Sequence, residues 1–301
     1  MGYSARYHAA SMAAIFLALA VGILIGSQIG GDILDNTRKD LEASLTSDLD
    51  QARADVEGLQ GQLDAANEFG NRVYPPLTEL QLRGDRLGLI GFGSLPAGVT
   101  EAVEQAIGPT SAALVAAGVV RQPPDLGQLA MALEGTRFAR IDRRPEQLDA
   151  YGKAVGRELI SGGRLFPLSR SELMSQSSGQ FGDLDALIVY RGDLEELSSE
   201  DGDLSEQLDT AILEGADSTP VKLVGVEQVA TDPSSVGFFG DNAVSSVDNV
   251  DQPAGKVSLI YVLAGAEGSF GVKSDSDQLL PDLLRPAPGP DRARPVGPGQ
   301  G

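Results

Sequence analysis

His8 is the single histidine of this 301-residue chain, and Met12 follows it one helical turn later. Imidazole suits Cu(II) and thioether suits Cu(I), so the two form a weak candidate metal pair. The bland alternative is an interfacial polar His8 beside a packing Met12. The other methionines are Met1, Met131 and Met174, and cysteine is absent. Without thiols there is no disulfide, thiolate metal site or cysteine nucleophile. With its imidazole at position 8, the rest of the chain cannot build a Ser/His/Asp triad or a histidine zinc site. No residue is assigned a catalytic or cofactor-binding role, and the chain is not read as an enzyme.

Two other stretches invite chemistry. "DLEELSSEDGD", Asp193 to Asp203, is a carboxylate-rich run. It lacks the spaced ligands and the glycine of an EF-hand loop, and reads as a solvated loop. "RLGLIGFGSLPAG", Arg86 to Gly98, places Gly91 and Gly93 after an apolar run. The third glycine of a dinucleotide fingerprint would fall at Pro96, and no Walker-type Lys-Ser/Thr follows, so the segment reads as a tight strand-to-helix turn.

These residues need elements to position them. From Ala9 to Ile29 no charged residue occurs. Some 21 residues of helix span roughly 31 Å, which matches a bilayer core. A secretory signal has a shorter apolar core, about 7–15 residues, so a retained transmembrane helix over 9–29, after a short tail over 1–8, is favoured over a cleaved leader. Ala14, Ala18, Gly22, Gly26 and Gly30 recur every fourth position and so share a face. Small side chains at that spacing let two helices approach closely.

A second periodicity follows. Leu45, Leu49, Ala52, Val56, Leu59, Leu63, Ala66 and Gly70 alternate spacings of four and three, an a/d seam, while Leu34 and Leu41 fall slightly out of register. The reading is a parallel coiled-coil stalk over 32–74, roughly 60 Å long, with Gly30–Gly31 as a joint and Pro75 and Pro76 as its end. The alternative is a single amphipathic helix packed on its own domain. The dimerisation residues are then Ala14, Ala18, Gly22, Gly26, Leu45, Leu49, Val56, Leu59 and Leu63, and a homodimer is expected.

The remainder, 86–284, reads as an α/β domain with a mostly parallel sheet. Leu87–Phe92, Ala112–Val120, Ala186–Tyr190, Pro220–Val226 and Ala243–Val250 are expected strands; Val99–Ile107 and Leu204–Glu214 are expected helices. The tail over 285–301 is Pro/Gly-rich and expected to be disordered. A formal net charge of −20 argues against nucleic acid, and against an anionic lipid surface, as partners of the soluble part.

The chain also resembles a known family at both ends. "RYHAASMAAIFLALAVGILIGS", from Arg6, and "SVDNVDQPAGKVSLIYVLAGAEGSFGVK", Ser246 to Lys273, followed by "LLP" at Leu279 to Pro281, are similar to the two ends of the actinobacterial MctB-like copper transporters. The resemblance implies a single-pass cell-membrane protein of copper transport or homeostasis. Its N-terminus would be cytoplasmic and its domain extracytoplasmic, an orientation that Arg6 before the span and Arg38 and Lys39 after it do not settle by themselves. Copper is implied by the resemblance alone, and no ligand set comes with it. The alternative function is a non-enzymatic coiled-coil scaffold that organises envelope or division proteins without copper chemistry.

Overall fold

The computed structural model describes residues 5–193 and 197–282; within its first helix, side chains are described for 8, 10–26, 39 and from 41 onward. The chain divides into two compact units, Met1–Ala66 and Asn67–Gly301.

One helix, α1, runs from Ala5 to Thr78. It corrects the expected order of span, joint and stalk. Helical backbone continues through Gly30 and Gly31, and among the described residues no helix is long and apolar enough to cross a membrane. The uncharged run is not an element of its own. It is the first part of a helix whose larger part is rich in charge, so apolar composition marked a boundary where the backbone hydrogen bonds have none. Pro75 and Pro76 are also inside α1. Their cost falls on the last turn, where few intrahelical bonds remain to be lost. The Thr78 hydroxyl donates to the Tyr74 carbonyl at 3.0 Å, and the Glu79 N–H donates to the Pro75 carbonyl at 2.9 Å.

The second unit is built on seven strands: β1 (Arg86–Phe92), β2 (Ala113–Val120), β3 (Met174–Gly179), β4 (Ala186–Arg191), β5 (Lys222–Val226), β6 (Ser245–Val247) and β7 (Ser269–Phe270). They lie in the order β3-β2-β1-β4-β5-β6-β7. All neighbours are parallel except β3, which is antiparallel to β2. The sheet is therefore mixed, parallel throughout except at the antiparallel edge strand β3, which the sequence does not announce. The sequence of β3, "MSQSSG", has five exposed positions out of six, so it carries no apolar run and is tolerated as an edge.

Alternation along the central strands sorts side chains into two cores. Leu87 and Leu89 of β1 and Ala186, Ile188 and Tyr190 of β4 face one side; Ile90, Phe92, Leu187 and Val189 face the other. The first face is covered by α2 (Ala97–Ile107) and α8 (Pro253–Leu263). The second is covered by α3 (Leu126–Ala132), α4 (Gln147–Ser161), α5 (Leu165–Leu173), α6 (Ser199–Asp217) and α7 (Val236–Asp241). Helices α4 and α6 approach closely because they meet at glycines. A Cβ on Gly156 would lie 2.1 Å from the Ile212 carbonyl oxygen, and one on Gly215 would lie 2.2 Å from that of Lys153.

Candidate functional site

The chain leaves β1 for β2 on one side and returns to β4 on the other, so the strand order reverses at β1/β4. In open α/β sheets, ligands bind at the carboxyl ends of strands at such a reversal. Here three strand ends converge on one carboxylate. Beyond β1, Gly93 has φ +74°, and a Cβ there would lie 2.3 Å from Gln122 Oε1. Its missing side chain makes room for Gln122, which follows β2. The Gln122 amide Nε2 donates to Asp209 Oδ2 at 2.5 Å. Arg191, the last residue of β4, places its Nε 3.6 Å from the same oxygen and its Nη2 3.1 Å from Glu206 Oε2. Its guanidinium lies 3.8 Å from the centroid of the Phe238 ring.

Asp209 on α6 is fully buried. Burial pushes its carboxyl up to about 8, against the opposing pull of Arg191 and Gln122. Asp209 Oδ1, Gln122 Oε1 and Arg191 Nε have no hydrogen-bond partner among the described residues. The cluster can therefore hold a proton near neutral pH, but its proton-binding atom is sealed from solvent. No imidazole or thiol stands beside it to serve as nucleophile or base.

The neighbouring strand ends are closed by an ion pair and by hydrogen bonds to a buried carboxylate. After β5, Glu227 Oε1 lies 2.6 Å from Lys273 Nζ and accepts from the Ser234 hydroxyl at 2.8 Å; its Oε2 accepts from the Ser235 N–H at 2.7 Å. After β6, buried Asp248 accepts from the N–H groups of Val272 and Lys273 at 2.8 and 2.7 Å and from the Ser276 hydroxyl at 2.7 Å. The Ser246–Lys273 segment thus does structural work. Asp248 holds the loop that brings Lys273 to Glu227. Lys256 on α8 is driven towards its neutral form by burial. It donates to Gln105 Oε1 at 2.7 Å and lies 5.9 Å from the Tyr74 ring centroid.

The residues singled out from the sequence are elsewhere. His8 and Met12 lie on α1, both exposed. Met131 is exposed, Met174 is buried in the core, and Met1 lies outside the described residues. Ala14, Ala18, Gly22 and Gly26 are exposed on α1, and a Cβ on Gly22 or Gly26 would meet nothing within 4 Å. Leu45, Leu49, Val56, Leu59 and Leu63 are all exposed, Leu59 by 64% and Leu63 by 57%. The last seam position behaves differently: a Cβ on Gly70 would lie 2.6 Å from Pro253 Cβ at the start of α8. In the acidic run, Leu194 to Glu196 lie outside the described residues. Ser198 caps α6 by accepting from the Asp201 N–H, and Glu200 and Asp201 sit in its first turn, where the helix dipole favours negative charge. Among the described residues, no group of three His, Asp or Glu side chains could hold a metal ion.

The switch-point cluster was not read from the sequence. One signal was available: in "SEQLDTAI" Asp209 occupies the stripe of Leu208, Ala211 and Ile212, on the buried side of an amphipathic helix.

Comparison with known proteins supplies what the cluster does not. The family model described as "Copper transport outer membrane protein, MctB" matches residues 3–281. The copper transporter MctB of Mycobacterium bovis is 36% identical over 70 residues, covering 23% of this chain and 22% of that protein. The copper transporter MctB of Mycobacterium tuberculosis matches to the same extent. The aligned stretch thus spans about a fifth of those curated relatives. The family is one of copper transport and not of enzymes, and because its match runs over nearly the whole length, this chain belongs to the MctB family.

Proposed function

We propose that this chain serves copper transport or homeostasis in the cell envelope, as a non-enzymatic protein with an extracytoplasmic α/β domain. The family match over 3–281 is the observation that carries this reading. The chain acts as a parallel dimer. Leu45, Leu49, Val56, Leu59 and Leu63 are exposed at a/d spacing on α1, and a second copy of the same seam is the partner that such a stripe fits. The small-residue line at Ala14, Ala18, Gly22 and Gly26 is open to a second helix in the same way.

Copper is cargo or regulatory target here, and the α/β domain holds no tight copper site of its own. The scattered Met131 and Met174, the lack of cysteine and the ion-paired carboxylates support this. A strain lacking the gene should be copper-sensitive and rescued by the intact chain. A cell-shape or division defect with unchanged copper tolerance would instead favour the scaffold reading, in which the paired domains organise envelope or division proteins. Titration of the full-length chain with Cu(I) and with Cu(II), alongside an H8A/M12A variant, tests the second point. A stoichiometric micromolar site that survives in that variant would place copper in the domain and refute it. Protease shaving of spheroplasts with an epitope on the domain tests its location; protection would overturn it.

A further inference from the structure

In a chain of net charge −20, the loop between α3 and α4 stands out. "TRFARIDRRP", Thr136 to Pro145, carries Arg137, Arg140, Arg143 and Arg144 against Asp142. Arg137 and Arg157, the latter on α4, line one pocket of about 370 Å³ together with Phe138, Leu165, Thr136 and Glu158. Both arginines are exposed, and neither makes an ion pair among the described residues. The other polar groups of the pocket are already committed. The Thr136 hydroxyl donates to the Leu133 carbonyl at 2.7 Å and accepts from the Phe138 N–H at 3.1 Å. Glu158 is turned to the start of α5, where its Oε2 accepts from the Phe166 N–H at 2.7 Å. The wall is rigid: the Phe138 ring is buried edge-to-face against Tyr151 at 5.6 Å, and the Tyr151 hydroxyl donates to Ser169 Oγ at 2.8 Å.

We propose that the Arg137–Arg157 pocket binds the phosphate group of a small organic phosphate or of a lipid headgroup. Two guanidinium forks on one cavity present more donors than a carboxylate's two oxygens need, whereas a phosphate offers enough oxygens for both. The surrounding acidity makes the site selective: elsewhere the chain's field repels anions, so an anion is held where arginines are concentrated. The Phe138 ring supports Arg137 from below, its centroid 4.6 Å from the guanidinium carbon, and partly buried Leu165 supplies an apolar wall for the organic body attached to the phosphate.

The test uses the full-length chain in two arms. In one, sn-glycerol 3-phosphate and inorganic phosphate are titrated calorimetrically. In the other, cosedimentation with phosphatidylglycerol vesicles is compared with phosphatidylcholine vesicles, which sets the contribution of the apolar α1 surface as baseline. R137A/R157A should weaken binding at least tenfold, R137K/R157K should keep part of it, and R83A, at an exposed arginine elsewhere, should change nothing. All variants should keep the wild-type melting temperature. Loss in the first arm assigns a soluble organic phosphate, and loss in the second alone assigns a lipid headgroup. Equal binding by wild type and R137A/R157A in both arms overturns the proposal, as does polyglutamate binding as tightly as phosphate.

Discussion

Two helical surfaces of this molecule carry apolar or small residues at helical spacing, and they meet opposite fates. On α4 and α6 the stripe is buried: Leu148, Tyr151, Val155 and Leu159 of one helix and Leu208 and Ile212 of the other share a core, and the helices touch backbone to backbone at Gly156 and Gly215. On α1 the stripe from Leu45 to Leu63 is bare. Periodicity is alike in the two, so it identifies a face that needs cover without saying where the cover comes from. Glycine separates them. At Gly156 a Cβ has no space, which marks a contact within the chain; at Gly22 and Gly26 it meets nothing, so these positions are free in one chain.

The largest effect should come from closing the α4–α6 contact. In Gly156→Val the new side chain would have to displace the Ile212 carbonyl, 2.1 Å from its Cβ. The expected loss is about 3 kcal/mol, read as a lower denaturant midpoint, or failure to fold. The matching change on α1, Gly22→Ile, should leave the unfolding midpoint of the domain unchanged. A loss at Gly22 as large as that at Gly156 would break the distinction between the two surfaces.

A pH-dependent effect is expected at the polar counterpart of the buried stripe. Asp209 sits in the α6 core with its carboxyl raised to about 8 by burial, against about 3.9 in an unfolded chain. The folded state thus holds this proton more tightly than the unfolded state. The group's favourable contribution is complete below about pH 4, and it is lost as pH rises towards about 8. Asp209→Asn removes the titration while keeping a side-chain oxygen for the Gln122 amide. Unfolding midpoints of the variant should fall less than those of wild type between pH 5 and 8. Parallel curves would mean that Arg191 holds Asp209 ionised throughout, with burial the weaker influence.

Legibility from the sequence followed burial pattern. Strands β1, β2, β4 and β5 are covered on both faces, so they appear as continuous apolar runs such as "ALIVY" and "KLVGV". β3 was invisible because an edge strand of serines and glutamine has no hydrophobic period. Helix α4 carries a plain helical period in Leu148, Tyr151, Val155 and Leu159 and was overlooked; what leaves no apolar signal is its close approach to α6, which rests on Gly152 and Gly156. The N-terminal region failed in a different way: composition suggested separate elements, whereas the backbone forms one helix from Ala5 to Thr78. The switch-point cluster brings together Gln122 and Asp209, 87 positions apart, and Arg191. Only the strand order places their ends side by side. The arginine pocket was half legible, since "RFARIDRR" is plain in the sequence but Arg157 joins it through the packing of α4.

The last expectation concerns the bare seam, where the effect on fold stability should be smallest and the effect on assembly should be complete. Leu59→Asp with Leu63→Asp places two charges on a surface that is already exposed. Exposed substitutions away from special features change stability by about 0.5 kcal/mol or less, so the domain's denaturant midpoint should not move. In a paired seam the same carboxylates would be desolvated beside their copies, with no cation at a facing core position to offset them. Light scattering should therefore report a dimer for wild type and a monomer for the double variant at the same concentration. The small-residue line adds a second contact in series, so Gly22→Ile with Gly26→Ile should lower crosslinking yield on its own and deepen the defect of the seam variant. A wild-type chain that stays monomeric at high concentration would remove the second copy as the cover for this stripe. The exposed leucines would then have to be met by a different protein, the scaffold alternative in its simplest form.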